Sequence, residues 1–139
     1  MKLHQSIISL ALLLLLTTGT FAQTTTYYQG SFTADSRSIT FQGNWKIVQE
    51  GEAYFVELAD NFKAKKAPDL KLFFSTINAQ DISSNNAADT DKSVLIAPLT
   101  SYQGTARYPI PPGINPAEYK TLLVHCQKYT KLWGGSPLQ

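Results

Sequence analysis

The amino-acid sequence predicts an all-β protein, an antiparallel β-sandwich or a partly closed barrel with one short helical turn. Apolar residues fall at every second position through Ile39, Phe41, Trp45 and Ile47, with small Gly43 in phase, which is the period of a strand with one buried face. Further short runs follow, separated by turn residues at Gln49-Glu50-Gly51-Glu52, Ala67-Pro68-Asp69 and Pro111-Pro112-Gly113. Beyond the N-terminal segment, the only helix signal is Asn115-Pro116, a side-chain cap followed by a residue suited to the first helical position.

The bulk composition is that of a folded chain. At about 100–200 residues per domain, 139 residues allow one ordinary core, and 43% hydrophobic with 16% charged residues excludes a disordered polyelectrolyte. The first residues read as a secretory signal over 1–22: Lys2 in a short n-region, a mostly apolar run over 7–16, and Thr20-Phe21-Ala22 with small residues at the cleavage-determining positions. Cleavage after Ala22 leaves Gln23 first and one β domain over 23–139. The apolar run is shorter than the roughly 20 residues a bilayer demands, so no membrane span is expected in the mature chain. Its expected location is periplasmic or extracellular.

Each element follows from local chemistry. A strand is expected over 28–33. The alternation from Ser38 onward forms a second, and Tyr54, Val56 and Leu58 resume the period beyond the turn, giving an antiparallel hairpin. Over 70–75 the adjacent Leu72, Phe73 and Phe74 predict a strand covered on both faces. Residues 76–92 are polar apart from Ile77 and Ile82 and read as a long, mobile surface loop in which Asn86 should tolerate alanine. Pro98 places the strand over 94–99 at an edge or makes it a strand end, and a short strand follows over 105–110. One helical turn is expected over 116–119, then strands over 121–126 and 129–133, the last ending at Gly134-Gly135.

The functional inventory is sparse. The formal net charge of +2 falls when Lys2 is removed, leaving no long-range pull on phosphates, so nucleic acid is not an expected partner. Lys63, Lys65, Lys66 and Lys71 read as a solvated loop cluster. After signal removal, His125 is the only histidine and Cys126 the only cysteine. A histidine-cysteine zinc site or a blue-copper site cannot be assembled from that pair. No Cys-x-x-Cys, no Cys-x-x-Cys-His and no Gly-rich phosphate loop is present. Neighbours on a strand point to opposite faces, so His125 does not activate Cys126, and no hydrolytic or dithiol motif marks a stand-alone enzyme. Cys126 shares parity with Leu122 and Val124, whereas Thr121, Leu123 and His125 lie on the other face. A lone thiol in an exported chain is unusual, because cysteines normally pair in an oxidising compartment, yet an apolar face is also where inert core cysteines sit.

The ordered series Ala67-Pro68-Asp69-Leu70, residues 95–99, Gly104, Tyr108-Pro109-Ile110-Pro111, Tyr119, Val124-His125-Cys126, Tyr129 and Trp133-Gly134-Gly135-Ser136-Pro137-Leu138 resembles the DM-thirteen domain. That family occurs in Skeletor-like extracellular proteins, often beside DOMON domains, and is described as an electron-transfer domain. From Gly30-Ser31-Phe32 onward the resemblance covers nearly all of the mature chain. It implies a β-rich extracellular module whose characteristic cysteine, here Cys126, takes part in redox chemistry as a bare thiol or as the ligand of a prosthetic group such as haem. The chain departs from the family at Ala67 and at Ala97-Pro98, where glycine is usual, and it carries no DOMON partner. A standalone copy therefore implies a redox partner in another protein. On this reading Cys126 is the working group, with Tyr108, Tyr129 and Trp133 as aromatic lining. The alternative is a noncatalytic binding or structural module that uses the sandwich ends and the 76–92 loop, with Cys126 as core packing.

Overall fold

The computed structural model describes residues 19–139; the proposed signal lies largely outside them, with only 19–22 described. The described residues form eleven strands: β1 (Thr24–Ser31), β2 (Thr33–Ala34), β3 (Phe41–Gln42), β4 (Asn44–Glu50), β5 (Ala53–Leu58), β6 (Lys63–Ala64), β7 (Leu70–Ser75), β8 (Ser93–Pro98), β9 (Ala106–Pro109), β10 (Thr121–Cys126) and β11 (Lys131–Pro137). A four-stranded sheet in the order β1-β4-β5-β9 faces a five-stranded sheet in the order β2-β11-β10-β7-β8, with β3-β6 as a short ribbon. All pairings are antiparallel. Neither sheet closes on itself, so the fold is sandwich-like and not a barrel.

Alternation puts Trp45, Ile47, Val56 and Leu58 on the inner face of the first sheet, and Leu70, Leu72, Phe74, Leu122, Val124 and Cys126 on that of the second, in one shared core. Each fully buried aliphatic side chain there is worth about 1.5–3 kcal/mol. Gly51, with φ 60°, opens the two-residue loop between β4 and β5, a conformation that glycine adopts without steric cost. The expected edge strand with Pro98 is β8, at the edge of the five-stranded sheet. The helical turn is a 3₁₀ turn over Pro116–Glu118, capped by Asn115, whose side chain accepts from the Ala117 amide at 3.0 Å.

The strand expected from Ser38 onward divides at Gly43, whose φ is 122°, so β3 joins the ribbon with β6 while β4 joins the four-stranded sheet. Three further expectations change. The first strand breaks at Phe32, so β1 and β2 belong to different sheets. The last strand runs through Gly134 and Gly135 to Pro137. A Cβ on Gly134 would sit 2.1 Å from the Thr33 carbonyl oxygen, so this glycine admits the close approach of β2. The third change concerns residues 76–92, which pack over the outer face of the five-stranded sheet. There Ala87, fully buried, joins Phe73, Leu123 and Leu132 in a second small core, with Ile82 and Ala88 partly buried against it. The loop's backbone is tied by successive turns, including Asp81 to Asn78, Ala87 to Ser83 and Ser93 to Asp89.

Candidate functional site

The run Thr121-Leu122-Leu123-Val124-His125-Cys126 is apolar or β-prone at both parities, which suits a strand buried on two faces. All six residues of β10 are buried, and the strand lies between β7 and β11. Cys126 ends it, opposite Leu70 on β7 and Lys131 on β11. Its thiol is free and fully buried in the main core.

The strand end is fastened from outside. The Gln127 amide donates to the Asp69 carbonyl at 3.2 Å, and the Thr130 amide closes the turn onto the Gln127 carbonyl at 3.2 Å. Lys71 Nζ bridges Asp69 Oδ1 at 3.0 Å and the Gln127 side-chain oxygen at 2.5 Å. Lys71 is therefore engaged here and is not part of a free lysine cluster.

The four residues expected at the site are brought together only in part. Trp133 is buried in the same core as Cys126, and its indole N–H donates to the Lys65 carbonyl at 2.9 Å. Tyr108 also joins that core, but from β9 on the opposite sheet, where its hydroxyl accepts from the Thr100 amide at 3.1 Å. Tyr129 departs from the expected lining: it is 61% exposed in the turn between β10 and β11, because residues 127–130 must leave the sheet to reverse the chain. Phe32, Phe41 and Phe62 are further aromatic members of the core, with Phe32 and Phe41 ring centroids 4.8 Å apart. Phe41 was legible from the alternation, whereas Phe32 and Phe62 lie at strand breaks that carry no periodic signal.

His125 occupies the reverse face. Its Nε2–H donates to the Ser84 carbonyl at 3.0 Å, its Nδ1 is buried without a partner, and the Phe73 ring stands edge-on at 6.3 Å. Burial, the largest influence, holds its pKa below the ordinary 6.5, against the opposing pulls of the Ser84 carbonyl and the Asp69 carboxylate. The imidazole therefore favours its neutral form.

These residues do not fit a haem. Cys126 lies within close-packed side chains and lines none of the principal surface depressions. The one histidine among the described residues points away from it, already bonded to Ser84. No group of three His, Cys, Asp or Glu side chains among the described residues is placed to hold a metal ion. What the arrangement offers is a buried thiol in an aromatic core, with one indole of that core hydrogen-bonded to the backbone of an exposed segment.

No curated protein and no solved structure matched the chain. The sequence pattern described as Electron transfer DM13 matches residues 31–138, which takes in every strand from β2 to β11 and Cys126, and the chain belongs to that family.

Proposed function

We propose that this protein is an exported electron-transfer module whose redox group is the Cys126 thiol, working with a separate redox-partner protein. The observation that carries the reading is membership of an electron-transfer family by a match that includes the chain's one cysteine. In the oxidative direction the Cys126 thiol gives one electron to an oxidised partner and its proton to the bulk solvent; reduction returns both. Trp133, on the adjacent strand and bonded to the Lys65 carbonyl, supports an aromatic route between core and surface. The signal over 1–22 supports export, with Gln23 as the first mature residue.

Full burial of Cys126 favours a second reading, a noncatalytic binding module in which the cysteine only packs. A redox titration of exported native protein, with its optical spectrum, separates the two. A reversible couple present in wild type and absent from Cys126→Ala supports electron transfer. No couple, no chromophore and no accessible thiol in a folded wild type would overturn it in favour of the binding module. Intact mass of the exported chain tests the cleavage site, and recovery of the full-length chain in the membrane fraction would rule it out.

A further inference from the structure

A surface depression of about 700 Å³ is lined by Lys46, Glu57 and Arg107, whose charges are paired at 3.1 Å and 3.2 Å. Around β6 the situation differs. Lys63 and Lys66 share a depression of about 440 Å³ with Thr100, Ser101, Tyr102 and no carboxylate. Lys65 is exposed beside them, and none of the three lysines has an ion-pair partner among the described residues. Lys66 Nζ stands 5.8 Å from the centre of the Tyr102 ring. Asp60 borders a neighbouring depression with Lys63 but lies beyond ion-pair range.

A second observation falls at the same place. The Trp133 indole, a member of the core that holds Cys126, reaches the surface chain here by donating to the Lys65 carbonyl at 2.9 Å. The unpaired positive charge and the hydrogen-bonded link to the core thus coincide on one short segment.

We propose that the face bearing Lys63, Lys65 and Lys66 is the docking surface for an acidic redox-partner protein. The proposal rests on the electron-transfer reading. An acidic surface is the complement of three unpaired ammonium groups, which steer its approach and set its orientation more than they add affinity. Docking at this face places the partner over the Trp133 link instead of over the exposed turn at Tyr129.

Two measurements on the mature protein test it. The first uses poly-L-glutamate as an acidic polypeptide, followed by amide chemical shifts at low salt. Shifts concentrated in residues 63–67 and 100–103, weakening as salt shortens the screening length to about 10 Å at 0.1 M, and lost in K63E/K65E/K66E, are expected. Shifts spread over Lys92, Lys120 and Lys128, or reproduced by inorganic phosphate at matched ionic strength, would overturn it. The second follows electron exchange with hexacyanoferrate, an anion, and hexaammineruthenium, a cation. The triple variant should slow the anionic couple about tenfold or more and not the cationic one; equal rates in variant and wild type overturn the electron exit at this face. Absence of exchange in wild type with either couple overturns the electron-transfer reading itself, and the polyglutamate shifts then decide the docking face alone. K63Q/K65Q/K66Q, which only neutralises these exposed side chains, should give intermediate effects in both.

Discussion

The His125 imidazole and the Ser84 carbonyl, 41 positions apart in sequence, meet at 3.0 Å and join β10 to the loop that covers the outer face of the sheet. The same residue holds the next strand, because Ser84 Oγ accepts from the Leu132 amide at 3.0 Å. His125, Ser84 and Leu132 together anchor residues 76–92.

This latch predicts a pH dependence. The folded-state pKa of His125 lies below its ordinary 6.5, so between those two values the unfolded chain binds a proton that the folded protein does not. Stability from this group is complete above about pH 6.5 and falls as pH drops through the window, by at most about 1.4 kcal/mol per pH unit. Across the sheet His125 pairs with Lys71, which is held by Asp69, and a protonated ring would face both charges. Denaturation midpoints at about pH 8 and pH 5 should converge in His125→Gln, which does not titrate; an unchanged pH dependence in that variant would contradict the assignment.

Cys126→Ala and Cys126→Ser separate packing from chemistry. The thiol is fully buried in an apolar core, so alanine should be tolerated and serine should destabilise further, by about 1–3 kcal/mol, because its hydroxyl lacks a partner. Urea midpoints read this difference. On the electron-transfer reading both variants lose the redox couple while remaining folded, since neither supplies sulfur.

Trp133→Phe keeps an aromatic ring and removes the indole N–H that satisfies the Lys65 carbonyl. A loss of about 1–3 kcal/mol is expected for the orphaned acceptor and the smaller ring. Tyr129→Phe, in the exposed turn, should stay within about 0.5 kcal/mol of wild type. Equal losses in the two variants, measured by denaturation, would show that the Trp133 bond contributes nothing.

Trp45→Ala should cost about 3–5 kcal/mol, as Trp45 is 2% exposed on the inner face of β4. Asn86→Ala is not the silent control that loop polarity suggested. Asn86 Oδ1 accepts from the Ser83 amide at 2.8 Å, and Asn86 Nδ2 donates to the Asp81 carbonyl at 3.0 Å, so its removal should cost about 1–2 kcal/mol. Asn85→Ala, at an exposed position, should cost almost nothing. Thermal or chemical denaturation of the three variants ranks them directly.

The sequence by itself determined the all-β class, the β4-β5 hairpin, the Asn115-capped turn and the inward parity of Cys126. Strand parity, turn chemistry and capping are local: they act over a few residues and leave a periodic trace. Only the tertiary structure decided that Phe32 divides two strands between two sheets, that β11 continues through Gly134, and that Tyr129 is exposed in a turn while Trp133 reaches Lys65. It also decided that a polar loop encloses His125. These outcomes depend on contacts between residues tens of positions apart, such as His125 with Ser84 and Trp133 with Lys65, and on backbone approaches such as Thr33 against Gly134. Local periodicity carries no record of such pairings, because their geometry exists only once both sheets have packed.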